Sequence, residues 1–177
     1  MNSRKIVCFV FVLLACSVLP GKVSSQAAND DPSVTAQLTS TKPILAKIKK
    51  DAAVMESFGR SSGPSWQTHA KTLDGIKTDV NRLQESMRGL QAHRSVASPR
   101  QQEAIDRITG LANDLATNMN ATLEQLNRSK NRPITSPYPE YLKANSRIAN
   151  DLADEIDDTI DFAQAKSEYE SLGKKLN

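Results

Sequence analysis

No cysteine follows residue 16 in this chain, since Cys8 and Cys16 both fall within the first 25 residues. Residues 26–177 therefore offer no disulfide framework, no thiolate metal site and no Cys-x-x-Cys-His for covalent haem attachment. Glycine (7) and aromatic residues (5%) are scarce too, while Ala, Leu and charged residues are abundant. An all-β fold would lack its turns and strand formers, and helices are expected instead. With two histidines, no Gly-x-Ser-x-Gly and no Gly-rich phosphate loop, the sequence shows no nucleophile-and-base constellation, so no enzyme is expected.

An excess of positive charge is also missing where it would count. The net charge is +3, but Arg4, Lys5 and Lys22 stand in the first 25 residues without an acid among them, leaving 20 basic and 20 acidic groups in 26–177. A neutral chain with no long basic run has no overall attraction for phosphate, and nucleic acid is not an expected partner.

What is present begins with a leader. Residues 1–5 end in Arg4-Lys5, an apolar run of about 14 residues follows from Ile6 to Leu19, and Pro20-Gly21 breaks it. That layout is a cleavable signal peptide over 1–25, and the run is shorter than the roughly 20 residues that span a bilayer, so no transmembrane helix is expected after processing. Two processing routes follow. Small residues at Val23-Ser24-Ser25 place cleavage after Ser25, giving a soluble periplasmic or extracellular protein. Alternatively Leu13-Leu14-Ala15-Cys16 resembles a bacterial lipobox, and lipidation at Cys16 would tether the same protein to a membrane.

The rest reads as one domain. Residues 26–42 are polar, either a flexible tether or an extension of the first helix in which Asp31-Pro32 caps a start at Val34 and Leu38. Pro43 suits the first turn of a helix over 43–58, with Leu45, Ile48, Ala52 and Met55 on one stripe. A second helix over 64–94 carries Trp66, His69, Leu73, Ile76, Val80, Leu83, Met87 and Leu90 in steps of three and four, a coiled-coil-like seam. Ser98-Pro99-Arg100-Gln101 is a capping box opening a third helix over 98–131, with Ile105, Ile108, Ala112, Leu115, Met119, Thr122 and Leu126 inward. A fourth runs over 137–172 with Leu142, Ile148, Ala149, Leu152, Ile156, Phe162 and Ala163 inward, and Gly173 as its stop. Long helices joined by short connections must run antiparallel, so residues 43–177 form an up-down-up-down four-helix bundle. Helix four places Asp151, Asp154, Glu155, Asp157, Asp158 and Asp161 opposite Lys42, Lys47, Lys49 and Lys50 of helix one, its neighbour in a closed ring.

Few residues invite a site. His69 is the one polar member of the helix-two seam, and Met55 stands across the turn from it. A His and a Met at one end of a four-helix bundle resemble, in architecture only, the b-type cytochromes of the bacterial periplasm, which would imply axial haem ligation. In those proteins the ligands come from the first and last helices, whereas helix four here has no His. A hydrogen-bonded boundary histidine is the simpler reading. Trp66 serves equally as a core plug or a contact platform. Asp154, Asp157, Asp158 and Asp161 share helical spacings that a loosely bound metal could use, but Glu-x-x-His pairs are absent and an exposed acidic face accounts for them. No cofactor is therefore expected. The function expected is that of a non-enzymatic binding or structural protein of the cell envelope with a protein or envelope component as partner; the alternative is a small haem- or metal-binding bundle using His69 and Met55.

Overall fold

Capping chemistry sets where the first three helices start. In the computed structural model, which describes residues 30–61, 63–129 and 137–176, the described residues form four helices and no strand: α1 Pro32–Phe58, α2 Trp66–Ala92, α3 Pro99–Arg128 and α4 Tyr138–Leu176. Ser98 and Gln101 close the expected capping box on α3, with Gln101 N–H donating to Ser98 Oγ at 3.3 Å and Ser98 N–H to Gln101 Oε1 at 3.2 Å. Ser65 caps α2 by accepting from Thr68 N–H at 3.2 Å. The signal peptide over 1–25, the cleavage after Ser25 and the lipidation at Cys16 lie outside the described residues.

The first helix does not start at Pro43. It starts at Pro32, capped by Asp31, whose Oδ1 accepts from Ser33 N–H at 2.9 Å, and Pro43 lies inside it. An interior proline costs roughly 3 kcal/mol, because it removes one backbone hydrogen bond and crowds the preceding turn. Against that, Val34, Leu38 and Thr41 are wholly buried and continue the stripe of Leu45, Ile48, Ala52 and Met55. Burying Val34 and Leu38 recovers about 1.5–3 kcal/mol each, enough to outweigh the proline. Pro43 also sits on the exposed side, where the Thr39 carbonyl that loses its donor can face solvent.

The fourth helix, likewise, does not stop at Gly173 but runs through it to Leu176. A helical glycine costs about 1 kcal/mol relative to Ala, too little to end a helix with Lys174 and Lys175 placed in its last turn, where positive charge favours the carbonyl end.

Contacts between helices fix their directions. Gln37 of α1 donates to the Ser86 carbonyl late in α2 at 2.9 Å, and Gln91, late in α2, donates to Thr109 Oγ1 early in α3 at 3.0 Å. Arg107, early in α3, pairs with Glu155 in the second half of the bundled part of α4 at 2.8 Å. Lys166, late in α4, pairs with Asp30 ahead of α1 at 3.1 Å. Each pair joins an early turn to a late one, so the four helices alternate in direction around a ring, with α4 closing against α1.

The charge opposition between helices one and four is realised in part. Lys42 meets Asp157 at 2.6 Å, whereas Lys47 turns to Asp79 of α2 at 2.6 Å and Glu155 is taken by Arg107 of α3. These partly exposed pairs contribute little each and serve to discriminate neighbours.

Inside the bundle the apolar seam is almost unbroken. A polar layer interrupts it between α3 and α4, where Asn145 Nδ2 donates to Thr122 Oγ1 at 2.9 Å and Asn118 Nδ2 donates to Asn145 Oδ1 at 2.8 Å. Thr122 Oγ1 donates onward to the Asn118 carbonyl at 2.7 Å, so every buried group in this layer has a partner. A satisfied polar layer fixes the vertical register of two helices, because sliding one past the other would strand each amide in hydrocarbon.

Candidate functional site

Helix spacing places His69 on the inner face of α2, one turn into the bundle from Trp66, and the side chain is wholly buried. Its partner comes from 69 residues away: Nδ1 lies 2.9 Å from the hydroxyl of Tyr138, the first residue of α4, which is also wholly buried. The imidazole is held between two rings, with centroids 5.4 Å from Phe58 and 5.6 Å from Tyr138, both tilted. Three chain segments therefore meet here: the last turn of α1, the first of α2 and the first of α4.

Burial governs the electrostatics of this cluster. Desolvation pushes the His69 imidazolium below the usual histidine range and the Tyr138 phenol well above the usual tyrosine range, so both are neutral at pH 7. A neutral imidazole has one N–H and one lone pair, and here Nε2 is buried with no hydrogen-bond partner. The cluster thus holds one buried polar atom without a partner, a cost of about 1–3 kcal/mol that its ring packing must offset.

A pH dependence follows. Unfolded His69 takes a proton below about pH 6.5, whereas the buried ring resists doing so; stability is therefore fully present above that pH and falls on acidification, by at most about 1.4 kcal/mol per pH unit, until the folded pKa is reached. Asp31 and Asp106, held below the usual carboxylate range by hydrogen bonds from Ser33 and Arg94, add their own loss only at still lower pH. Urea titrations of the parent protein and His69→Gln at pH 5 to 7.5 should show the slope in the first and its absence in the second.

Met55 is buried in the common core, and the neighbours that hold the His69 ring are Phe58 and Tyr138. Trp66 is half-buried at the start of α2 and donates from Nε1 to the Leu126 carbonyl at 3.2 Å, closing the α2–α3 seam. Of the four aspartates, Asp157 is paired with Lys42, and Asp154, Asp158 and Asp161 are exposed. Among the described residues no group of three or more His, Cys, Asp or Glu side chains is placed to hold a metal ion.

Compared with known protein families, curated proteins and solved structures, the chain matches none.

Surface features of the bundle therefore carry what functional reading there is. Two grooves run between α1 and α4. One of about 450 Å³ is lined by Pro43, Leu45, Ala153 and Ile156 and rimmed by Lys42 and Lys49. The other, of about 840 Å³, lies at the end where α1 begins, between Asp30–Thr39 and Ala163–Glu170. No described helix is long and apolar enough to cross a membrane.

The most unusual surface is the far end of α4. Buried positions Asn145, Ala149, Leu152, Ile156 and Ile160 continue down the same side through half-buried Ala163 to Ser167, Ser171 and Lys174, where the residues turn polar and exposed. Apolar residues move to roughly the opposite side of the helix, to Phe162, Ala165, Tyr169, Leu172 and Leu176, in steps of three and four. Phe162 belongs to this outer stripe and not to the inward one: it is 39% exposed and covered on one side by the Arg100 guanidinium, 3.6 Å from its ring centroid. Tyr169, Leu172 and Leu176 are 80%, 57% and 87% exposed. Further back, the same outer side carries Asp151, Asp154 and Asp158. The sequence signal for this switch is the break in phase at residue 162: six residues from Ile156 is not a same-face spacing on a helix.

Proposed function

We propose that the protein is an exported, non-enzymatic binding or structural protein of the cell envelope, and that it engages its partner through the outer face of the last turns of α4. The observation that carries this reading is the change of side at Phe162: past it, the apolar stripe faces away from the bundle, so α1 and α3 cannot cover it. A stripe exposed at Tyr169, Leu172 and Leu176 adds nothing to the core, and large exposed apolar patches on folded domains are mostly contact sites.

Chain geometry supports the envelope part of the proposal. Asp30, where the described chain begins, and the tip of α4 lie at the same end of the bundle, joined by the Lys166–Asp30 pair. A leader or lipid tether on residues before 30 would bring the α4 tip toward whatever surface holds it. Export itself rests on the layout of residues 1–25: a basic start, an apolar run and a Pro-Gly break before Ser25. Intact-mass measurement of protein from its native source should then show a chain starting at Gln26 or a lipid on Cys16.

Removal of residues 167–177 tests the contact surface. The shortened protein, expressed with its leader carrying Cys16→Ser so that no lipid can hold it, should be folded yet lose the envelope retention that the full-length Cys16→Ser protein shows, whereas equal retention of the two contradicts the reading.

A further inference from the structure

We infer that the outer stripe of α4 pairs with the same stripe of a second copy of this chain, antiparallel, as a two-stranded coiled-coil contact confined to residues 165–176. This rests on the reading of that stripe as a contact surface and names its occupant. Taking Phe162, Tyr169 and Leu176 as a positions makes Ala165 and Leu172 d positions, and Glu168 and Lys175 then fall at successive g positions on one flank.

In an antiparallel pair, a residues of one helix layer against d residues of the other, and g residues face g residues. Tyr169 opposite Leu172 of the second copy, and Leu176 opposite its Ala165, is a register related to itself by a twofold axis. That register puts Glu168 of each copy opposite Lys175 of the other, so the g flank carries two ion pairs of opposite charges. The remaining flanking positions, Lys166 and Gly173, face each other without a like-charge conflict. The acidic part of the outer side, Asp151, Asp154 and Asp158, would lie beyond the last residue of the second helix, so the two acidic faces do not meet. The second helix lies clear of the first bundle, because the paired stripe is on the side of α4 opposite its buried positions and the overlap begins only at Ala165.

With four short layers the contact is weak and concentration-dependent, at the low end of interface sizes. Sedimentation equilibrium of the full chain over about 10 µM to 1 mM should show a monomer–dimer equilibrium. Glu168→Lys alone, or Lys175→Glu alone, converts both ion pairs into like-charge contacts and should raise the dissociation constant about tenfold. Mixed in equal amounts, the two variants should pair at near-parental strength, because each of the two contacts in the mixed pair again sets one lysine against one glutamate. Both positions are exposed, so matching helical signals and melting curves confirm that folding is intact.

A mass that stays monomeric throughout overturns the inference, whether the chain's own first 29 residues or a foreign partner covers the stripe. So do variants that dimerise like the parent, or that fail to pair when mixed. Should the parent stay monomeric while removal of 167–177 still releases it from the envelope, self-pairing falls and the contact surface stands. A dimer in a protein whose shortened form keeps its envelope retention supports self-pairing and removes the envelope role.

Discussion

Replacing Leu38 by Ala should lower stability by about 2–5 kcal/mol, the cost of emptying a fully packed leucine site that the surroundings refill only partly. Leu38 has no exposed surface and lies five residues before Pro43, in the stretch whose polar composition reads equally well as a tether. If helix one began at Pro43, Leu38 would sit in that tether and its loss would fall within about 0.5 kcal/mol. The two outcomes differ by several-fold in free energy and are separated by one urea titration. In thermal terms a chain of this size should melt roughly 5–15 °C lower.

A second large effect is expected at the other end of the bundle. Tyr138→Ala removes one of the largest wholly buried side chains and should cost about 3–5 kcal/mol from the cavity alone. It also strips His69 of its single hydrogen-bond partner, leaving both ring nitrogens buried and unpaired, which adds about 1–3 kcal/mol. Tyr138→Phe separates the two contributions: the ring packing against His69 stays and only the hydroxyl is lost, so the smaller figure alone should appear. A Phe variant as unstable as the Ala variant would show that the hydroxyl, and not the ring, anchors α4 at its start.

The bundle was largely legible because amphipathic spacing and caps are local. The seam of α2 runs from Trp66 to Leu90 without a missed step, and Ser98 with Gln101 announces α3 within four residues. Pro43 misled for a physical reason: proline suits a first turn, and only the burial of Val34 and Leu38 against other helices shows that the cost of an interior proline is met. The same signature, Asp31-Pro32 ahead of those two residues, was present eleven positions earlier. Gly173 misled in a similar way, since a glycine ends a helix only where the chain has reason to turn.

The candidate site was legible only in halves. His69 stands out in its seam, but nothing near it in sequence points to Tyr138, because the contact depends on how α2 and α4 meet in space. Asn145 interrupts the inner stripe of α4 in the same visible way, with Thr122 and Asn118 supplied by α3. The outer stripe of α4 was open to view at Tyr169, Leu172 and Leu176; counting Phe162 as inward hid the change of side that gives those residues their meaning.

That change of side divides α4 into a part that holds the fold and a part that does not, and thermal unfolding of the chain ending at Lys166 tests the division most directly. The expected result is a melting temperature within about 2–4 °C of the parent, the shift of a change no larger than about 1 kcal/mol, since residues 167–176 are exposed and the Lys166–Asp30 pair is kept. A fall of more than about 10 °C would make those residues part of the core and contradict the division.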